Sequence, residues 1–469
     1  MLSDNALKYT LEQLLRVALP STIPMPFSST MSEETLFVRL PEDVTLKIEL
    51  LSDAEVDNMM TGEAEPLWIA SADTKVQIPV FSPERSKALS VDGSYAEHVL
   101  TVPFDIITLS FILLSRDEEY RGLPRDEHDR FLYNFSLAKR YDFVHVPLVD
   151  EYAMLLRTWI FTYLKPSWSI EPRRFQIIPT HDIDLLYRFS NPWQAFKSIF
   201  GRDLLINHSL SDAKISWKAY QECKSDGAQD PYVAAIRELV SVSVNHGLKS
   251  LFFFKSQVSQ EPDFSYDVFD PNVKVSLEVI AQAGMQVGLH GSYESYRDIH
   301  RYQQEQARLS QLLSREVDTG RQHYLRFSLH RNINDKNDAI FGSKYPENER
   351  NNMHTNTLQV WQQSGIRHDY TLGFAEQPGF RCGTCHPYPL YDLDNDCPTE
   401  IMEHPLIVMD GSLFDYLHLN YEQSNMLIHR LLERCRAVEG DFIILWHSHL
   451  LSRNYRPAFE QVYLPTIKC

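Results

Sequence analysis

Two carboxylates stand two residues apart in Gln176-Ile177-Ile178-Pro179-Thr180-His181-Asp182-Ile183-Asp184, at the end of an apolar run. If that run is a strand, alternate side chains share a face, so Asp182 and Asp184 point to the same side. Like charges this close repel unless a cation or a shared proton compensates them. A plainer role is also open, because Asp is common where a strand meets a turn and can cap the next helix. Two further apolar runs end in a similar way: Val287-Gly288-Leu289-His290-Gly291 and Ile443-Ile444-Leu445-Trp446-His447. One histidine after a strand is more often structural than a ligand. Three such ends, each carrying Asp or His, point to a common site.

The elements that must position these residues begin at Phe175. Apolar runs at Phe175–Ile178, Ser250–Phe254, Met285–Leu289, Tyr324–Phe327, Pro405–Met409 and Phe442–Trp446 predict strands. Between them, 3.6-residue periodicity predicts helices over Pro231–Val244, Val273–Ala283, Tyr302–Leu313, Asn356–Gln363 and Tyr421–Val438. Strands alternating with helices suggest an α/β fold with a parallel sheet, most simply a barrel, with chemistry at the C-terminal strand ends.

Those motifs carry a resemblance. The segment from about 175 to 450 resembles the polysaccharide deacetylase superfamily, the NodB-homology group of carbohydrate esterase family 4. It does so through the pair Asp182 and Asp184, through His290, and through Leu445-Trp446-His447. Arg321-Gln322-His323-Tyr324 and Gly379-Phe380-Arg381 are similar to its arginine-containing middle motifs. More closely, the whole chain resembles bacterial members with an extra N-terminal domain of unknown function, through Leu113–Tyr120, Gly365–Arg381 and Pro405–Gly411.

The resemblance implies a distorted (β/α) barrel and metal-dependent removal of an N- or O-acetyl group from a sugar. It implies Asp182 as general base, His447 as proton donor to the departing group, and Arg321 or Arg381 orienting the base. Asp184 and His290 are implied metal ligands, with zinc the first candidate. The chain departs from the family's His-(Ser/Thr)-x-x-His pattern, because Glu294 occupies the fourth position after His290. Glu294 is therefore the expected third ligand, with a water or His181 as alternatives. Fold does not fix function, so another C–N hydrolase on the same barrel is an alternative. So is a non-catalytic carbohydrate-binding or scaffold protein of polysaccharide assembly.

Residues 1–165 read as a smaller α/β accessory domain ahead of a barrel domain at 170–469. Leu7–Leu19 has helical spacing, and Leu36–Leu40, Val44–Leu50, Pro66–Ala70 and Val76–Phe81 look extended. Ile106–Leu114 is short enough for a buried strand, and the charge run Asp117–Arg121 reads as a solvated face. Tyr152–Leu164 is amphipathic, and the breaker-rich Lys165–Pro172 reads as a linker.

Composition narrows the partners. Net charge of −18 and a pI near 5.4 argue against a nucleic acid or an anionic membrane; a neutral or cationic substrate fits better, and the resemblance implies a carbohydrate. No apolar run is long enough to span a bilayer. The opening residues lack a secretory layout, and six scattered cysteines read as free cytoplasmic thiols. Cys382-Gly383-Thr384-Cys385-His386 has haem-attachment spacing, but a tight glycine-containing loop is the plainer reading.

Overall fold

The computed structural model describes residues 2–21, 25–71, 76–83, 94–96, 98–189, 192–206, 208–257, 263, 266–329, 355–451 and 456–469. Its dominant feature is a nine-stranded sheet built from β8 (Gln176–Ile183), β9 (Leu251–Phe254), β10 (Gln286–Gly291), β11 (Thr319–Gln322), β12 (His368–Asp369), β13 (Tyr388–Asp392), β14 (Cys397–Glu403), β15 (Val408–Met409) and β16 (Asp441–Leu445). The spatial order is β13-β14-β12-β11-β10-β9-β8-β16-β15. All neighbours pair in parallel except β13, which joins β14 antiparallel. This is the α/β class expected. The strand order has two ends, and closure into a barrel is not shown.

The central strands are buried on both faces, as parallel strands flanked by helices must be. Every residue of Leu251–Phe254 and of Asp441–Leu445 is buried. Helices Pro231–Asn245 and Pro271–Gln282 begin at Asp230 and Asp270, each accepting a backbone N–H with proline next in line. Thr357–Gln363 and Tyr421–Ala437 begin with Asn–Gln capping boxes. Register then aligns the functional ends: His290 lies beside Arg321, and Asp182 beside Phe253.

The first 165 residues contribute β1 (Ser28–Ser32), β2 (Thr35–Arg39), β3 (Thr45–Glu49), β6 (Ser94–Ala96) and β7 (Val99–Val102), ordered β1-β2-β3-β7-β6, and a hairpin of β4 (Leu67–Ala70) with β5 (Gln77–Val80). Helix Asp4–Ala18, capped by Ser3, buries Leu7, Leu11, Leu14 and Leu15. One apolar core runs through both parts, from Leu14, Leu46 and Phe104 to Phe252, Val287 and Phe442. Tyr9 meets Tyr391 of β13 with ring centroids 4.8 Å apart.

Three expectations are corrected. Ile106–Leu114 is not a strand: Thr108–Ser115 is a helix buried all round, started by Asp105, which accepts the N–H groups of Ile107 and Thr108 at 2.8 Å. The Tyr324–Phe327 run is not a strand either. The strand is Thr319–Gln322, and Tyr324 and Leu325 both adopt positive φ, 61° and 56°. Finally, the charge run at 117–121 is no solvated face, because Glu118 and Glu119 are each 1% exposed. Glu119 binds Arg116 at 2.5 Å and Arg381 at 2.7 Å.

Candidate active site

Strand β8 sorts its side chains by parity. His181 turns away from Asp182, with Nδ1 2.9 Å from Trp446 O and its ring against Phe252 and Tyr463. Burial pushes its pKa down to about 4, and its ring, turned toward Trp446 and Tyr463, is not among the clustered donors. Thr180 and Asp182 face the other way, toward Arg321, which is wholly buried. Arg321 donates to Asp182 Oδ1 at 2.9 Å, to Thr180 Oγ1 at 3.0 Å and to Tyr370 O at 2.9 Å. Burial alone would raise the Asp182 pKa; Arg321, together with His290 and His447, outweighs it and holds the carboxyl below its ordinary value.

Asp184 is the hub. Its Oδ1 lies 3.2 Å from His290 Nε2, 3.3 Å from His323 Nε2 and 3.5 Å from Lys255 Nζ, and its Oδ2 lies 3.5 Å from His447 Nε2. Against the effect of burial, Lys255 and His323 hold its pKa well below the carboxylate norm. His290 Nδ1 is 3.0 Å from Arg321 O. A carbonyl only accepts, so Nδ1 carries a proton and donates to it, and Nε2 is the ring atom turned toward Asp184. Neither His290 Nε2 nor Asp184 Oδ1 has a hydrogen-bond partner, although both are buried.

His323 is held in the same fashion from its other side, with Nδ1 2.5 Å from Asp263 Oδ1. Asp184, His290 and His323 thus offer three donor atoms within 4.8 Å of one another. Each imidazole has its far nitrogen engaged by an oxygen, the arrangement that orients metal-ligating histidines. Two orphaned lone-pair atoms and an N₂O donor set fit a divalent cation such as zinc. The placement of His323 rests on left-handed backbone at Tyr324 and Leu325, which costs roughly 1–3 kcal/mol per residue and persists only where surroundings impose it.

His447 extends from the end of β16. Asp410, just beyond β15, accepts from its backbone N at 2.5 Å and lies 2.7 Å from its Nδ1. Burial pulls the His447 pKa down, but the charge and hydrogen bond of Asp410 carry it up to about 10. The ring is therefore a cation at neutral pH.

The structure brings Asp182, Asp184, His290, Arg321 and His447 together, and it leaves two expected residues out. Glu294 is not among the clustered donors. His290 lies on a strand, so no helical turn stacks position i+4 onto it, and the chain is drawn aside as Ser292 binds Glu305 and Tyr293 N binds Asp263. Arg381 sits at the junction of the two parts of the chain, donating to Glu119 Oε1 and Gly373 O. Of the two arginines, only Arg321 reaches Asp182. The sequence reading also missed His323, Lys255, Asp263 and Asp410. Of these, Asp410 carried a signal like that of Asp182, a carboxylate at the C-terminal end of an apolar run.

A second donor group, Asp150, Cys385 and His386, is a closed structural knot. Asp150 is taken by Thr384 and the Cys385 N–H, and both His386 nitrogens are engaged, by Arg173 and Val438 O.

Residues 3–165 match a family of unknown function, DUF7033. No curated protein matches the chain. Among solved structures, a provisionally named polysaccharide deacetylase from Mycobacterium smegmatis aligns at 13% identity with a TM-score of 0.35, covering 64% of this chain and 86% of that one. That likeness is too slight to build on. Among the described residues, no helix is long and apolar enough to cross a membrane.

Proposed function

We propose that this chain is a metal-dependent hydrolase that removes an acetyl group from a sugar of a glycan or surface-polysaccharide precursor. The reading includes membership of the polysaccharide deacetylase superfamily, a sheet curled into a distorted barrel over residues 170–469 behind an accessory domain at 1–165, and action in the cytoplasm. One observation carries it: an arginine-fixed carboxylate, a cationic histidine and a cluster of bare donor atoms converge at the C-terminal ends of adjacent parallel strands.

Asp184, His290 and His323 would hold the cation. A bound zinc would supply Lewis acidity toward the acetyl carbonyl and toward water. Asp182, kept anionic and oriented by Arg321, takes a proton from the attacking water. His447, kept protonated by Asp410, gives one to the departing amine or alcohol. Acetate release from matched N- and O-acetylated sugars tests this. The reading expects Asp182→Asn to lose acetate release while keeping zinc, and unchanged release would refute it.

A second reading has one observation in its favour. Lys255, 2% exposed, places its ammonium 3.5 Å from Asp184 Oδ1 and 3.3 Å from His323 Nε2, which balances the carboxylate without any metal. On that reading the chain binds or organises carbohydrate without catalysis. Zinc content of the purified protein separates the two.

A further inference from the structure

The turns that follow His290 and His323 are both held from outside, by the N-terminal part of the chain. Its segment 125–131 folds back on itself, with a bridge between Arg125 and Phe131 and Arg130 bound to Asp126 at 2.7 Å. From this strap, His128 Nδ1 lies 3.0 Å from Tyr293 Oη, and its ring lies 4.5 Å from that of Tyr324. Asp129 Oδ2 accepts from Tyr296 Oη at 2.9 Å. Arg130 donates to Tyr324 O at 3.3 Å, and Arg125 to Phe327 O at 3.0 Å.

Arg326 closes the network from the other side. Its Nε donates to His128 O at 2.8 Å and its NH1 to Tyr293 O. Its guanidinium lies 3.8 Å and 3.7 Å from the ring centroids of Tyr293 and Tyr296. Strap, His290 turn and His323 turn are thus tied together three ways. The backbone at Tyr324 and Leu325 supplies the reason such a tie is needed. Two consecutive non-glycine residues at positive φ relax to ordinary backbone unless their surroundings hold them.

We infer that the 125–131 strap is a positioning element for His290 and His323, which makes the DUF7033-matching part of the chain a component of the site. The inference rests on the metal reading above for its chemical consequence. The strap touches no donor atom. It acts through Tyr293, Tyr324 and Arg326, and releasing it lets residues 323–325 swing His323 off Asp184. Loss of such supporting contacts typically weakens metal binding about 10- to 100-fold.

The test compares the full-length chain with Arg130→Ala, with the milder His128→Ala, and with His128→Phe, which keeps a ring against Tyr324 but loses the bond to Tyr293. Hydrogen–deuterium exchange is read at residues 293–297 and 323–327, with residues 441–445 as internal reference, and zinc affinity is read by competition with a chromophoric chelator. The strap variants are expected to exchange at least about tenfold faster in both turns, with the reference unchanged. Zinc affinity is expected to fall about 10- to 100-fold, partly restored in His128→Phe. Unchanged exchange at 323–327 overturns the clamp, whatever zinc does. Faster exchange with wild-type zinc affinity overturns its role in the site. If Arg130→Ala loosens the reference as well, His128→Ala carries the same comparison. A wild-type chain that binds no zinc defeats the metal reading instead, and exchange at the two turns still decides the clamp.

Discussion

Arg321 and Arg381 are both nearly inaccessible to solvent and both bind a carboxylate, yet they belong to opposite kinds of centre. Arg381 shares Glu119 with Arg116, and Arg116 donates onward to Arg381 O and Leu113 O. That knot joins two parts of the chain whose residues are 262 positions apart, and its charges face one another. Arg321 binds Asp182 on one side of a cluster whose other side holds His290 Nε2 and Asp184 Oδ1 without hydrogen-bond partners. Buried charge is common to both centres. What separates them is the gathering of three donor atoms of metal-ligand type within 4.8 Å of one another, which folding alone gives no reason to keep.

Breaking each centre should therefore fail differently. Asp182→Asn is expected to lower acetate release per folded molecule about 10²- to 10⁴-fold; it also takes the carboxylate from buried Arg321, so some stability is lost with it. Glu119→Gln takes the carboxylate from buried Arg381 and leaves Arg116 with Glu118, and should cost about 3–5 kcal/mol of stability, while activity per folded molecule holds; chemical denaturation beside acetate release measures both. If Glu119→Gln lowers acetate release per folded molecule as much as Asp182→Asn does, the contrast collapses.

Acid should expose the same difference. Burial would raise the Glu119 pKa, but Arg381 and Arg116 bring it down to about 2. A depressed carboxyl contributes stability that is present above its unfolded pKa, about 4.5, and is lost as pH falls through about 2. Melting temperatures followed from pH 5 to pH 2 should drop for the wild type and flatten in Glu119→Gln. On the site's side, Asp410→Asn removes the group that raises His447. The basic limb of the kcat/KM profile should then move to lower pH, and an unmoved limb would detach His447 from proton donation. The smallest effect sharpens the ligand set: Glu294→Ala should leave zinc content unchanged and stability within about 0.5 kcal/mol.

Much of this was legible because strand ends announce themselves. Apolar runs closing on Asp182, Asp184, His290 and His447 placed four of the clustered residues, and parallel pairing follows from the alternation with helices. His323 was hidden by backbone geometry, since the apolar look of Tyr324–Phe327 mimics a strand and positive φ at Tyr324 leaves no trace in composition. Lys255 and Asp263 follow β9 with no periodic signal. The polarity of Asp117–Arg121 pointed outward because its partner, Arg381, is distant in sequence. The i+4 spacing of Glu294 from His290 misled because it presumes a helix.

The central claim is that Asp184, His290 and His323 form one cation site. Zinc titration of the metal-stripped, full-length chain tests it most directly, run beside Asp184→Ala, His290→Ala and His323→Ala. About one zinc per chain in the wild type, lost or strongly weakened in all three variants while their folds persist by circular dichroism, is the expected result. A wild type that takes up no zinc, with Lys255 left to balance Asp184, would contradict it.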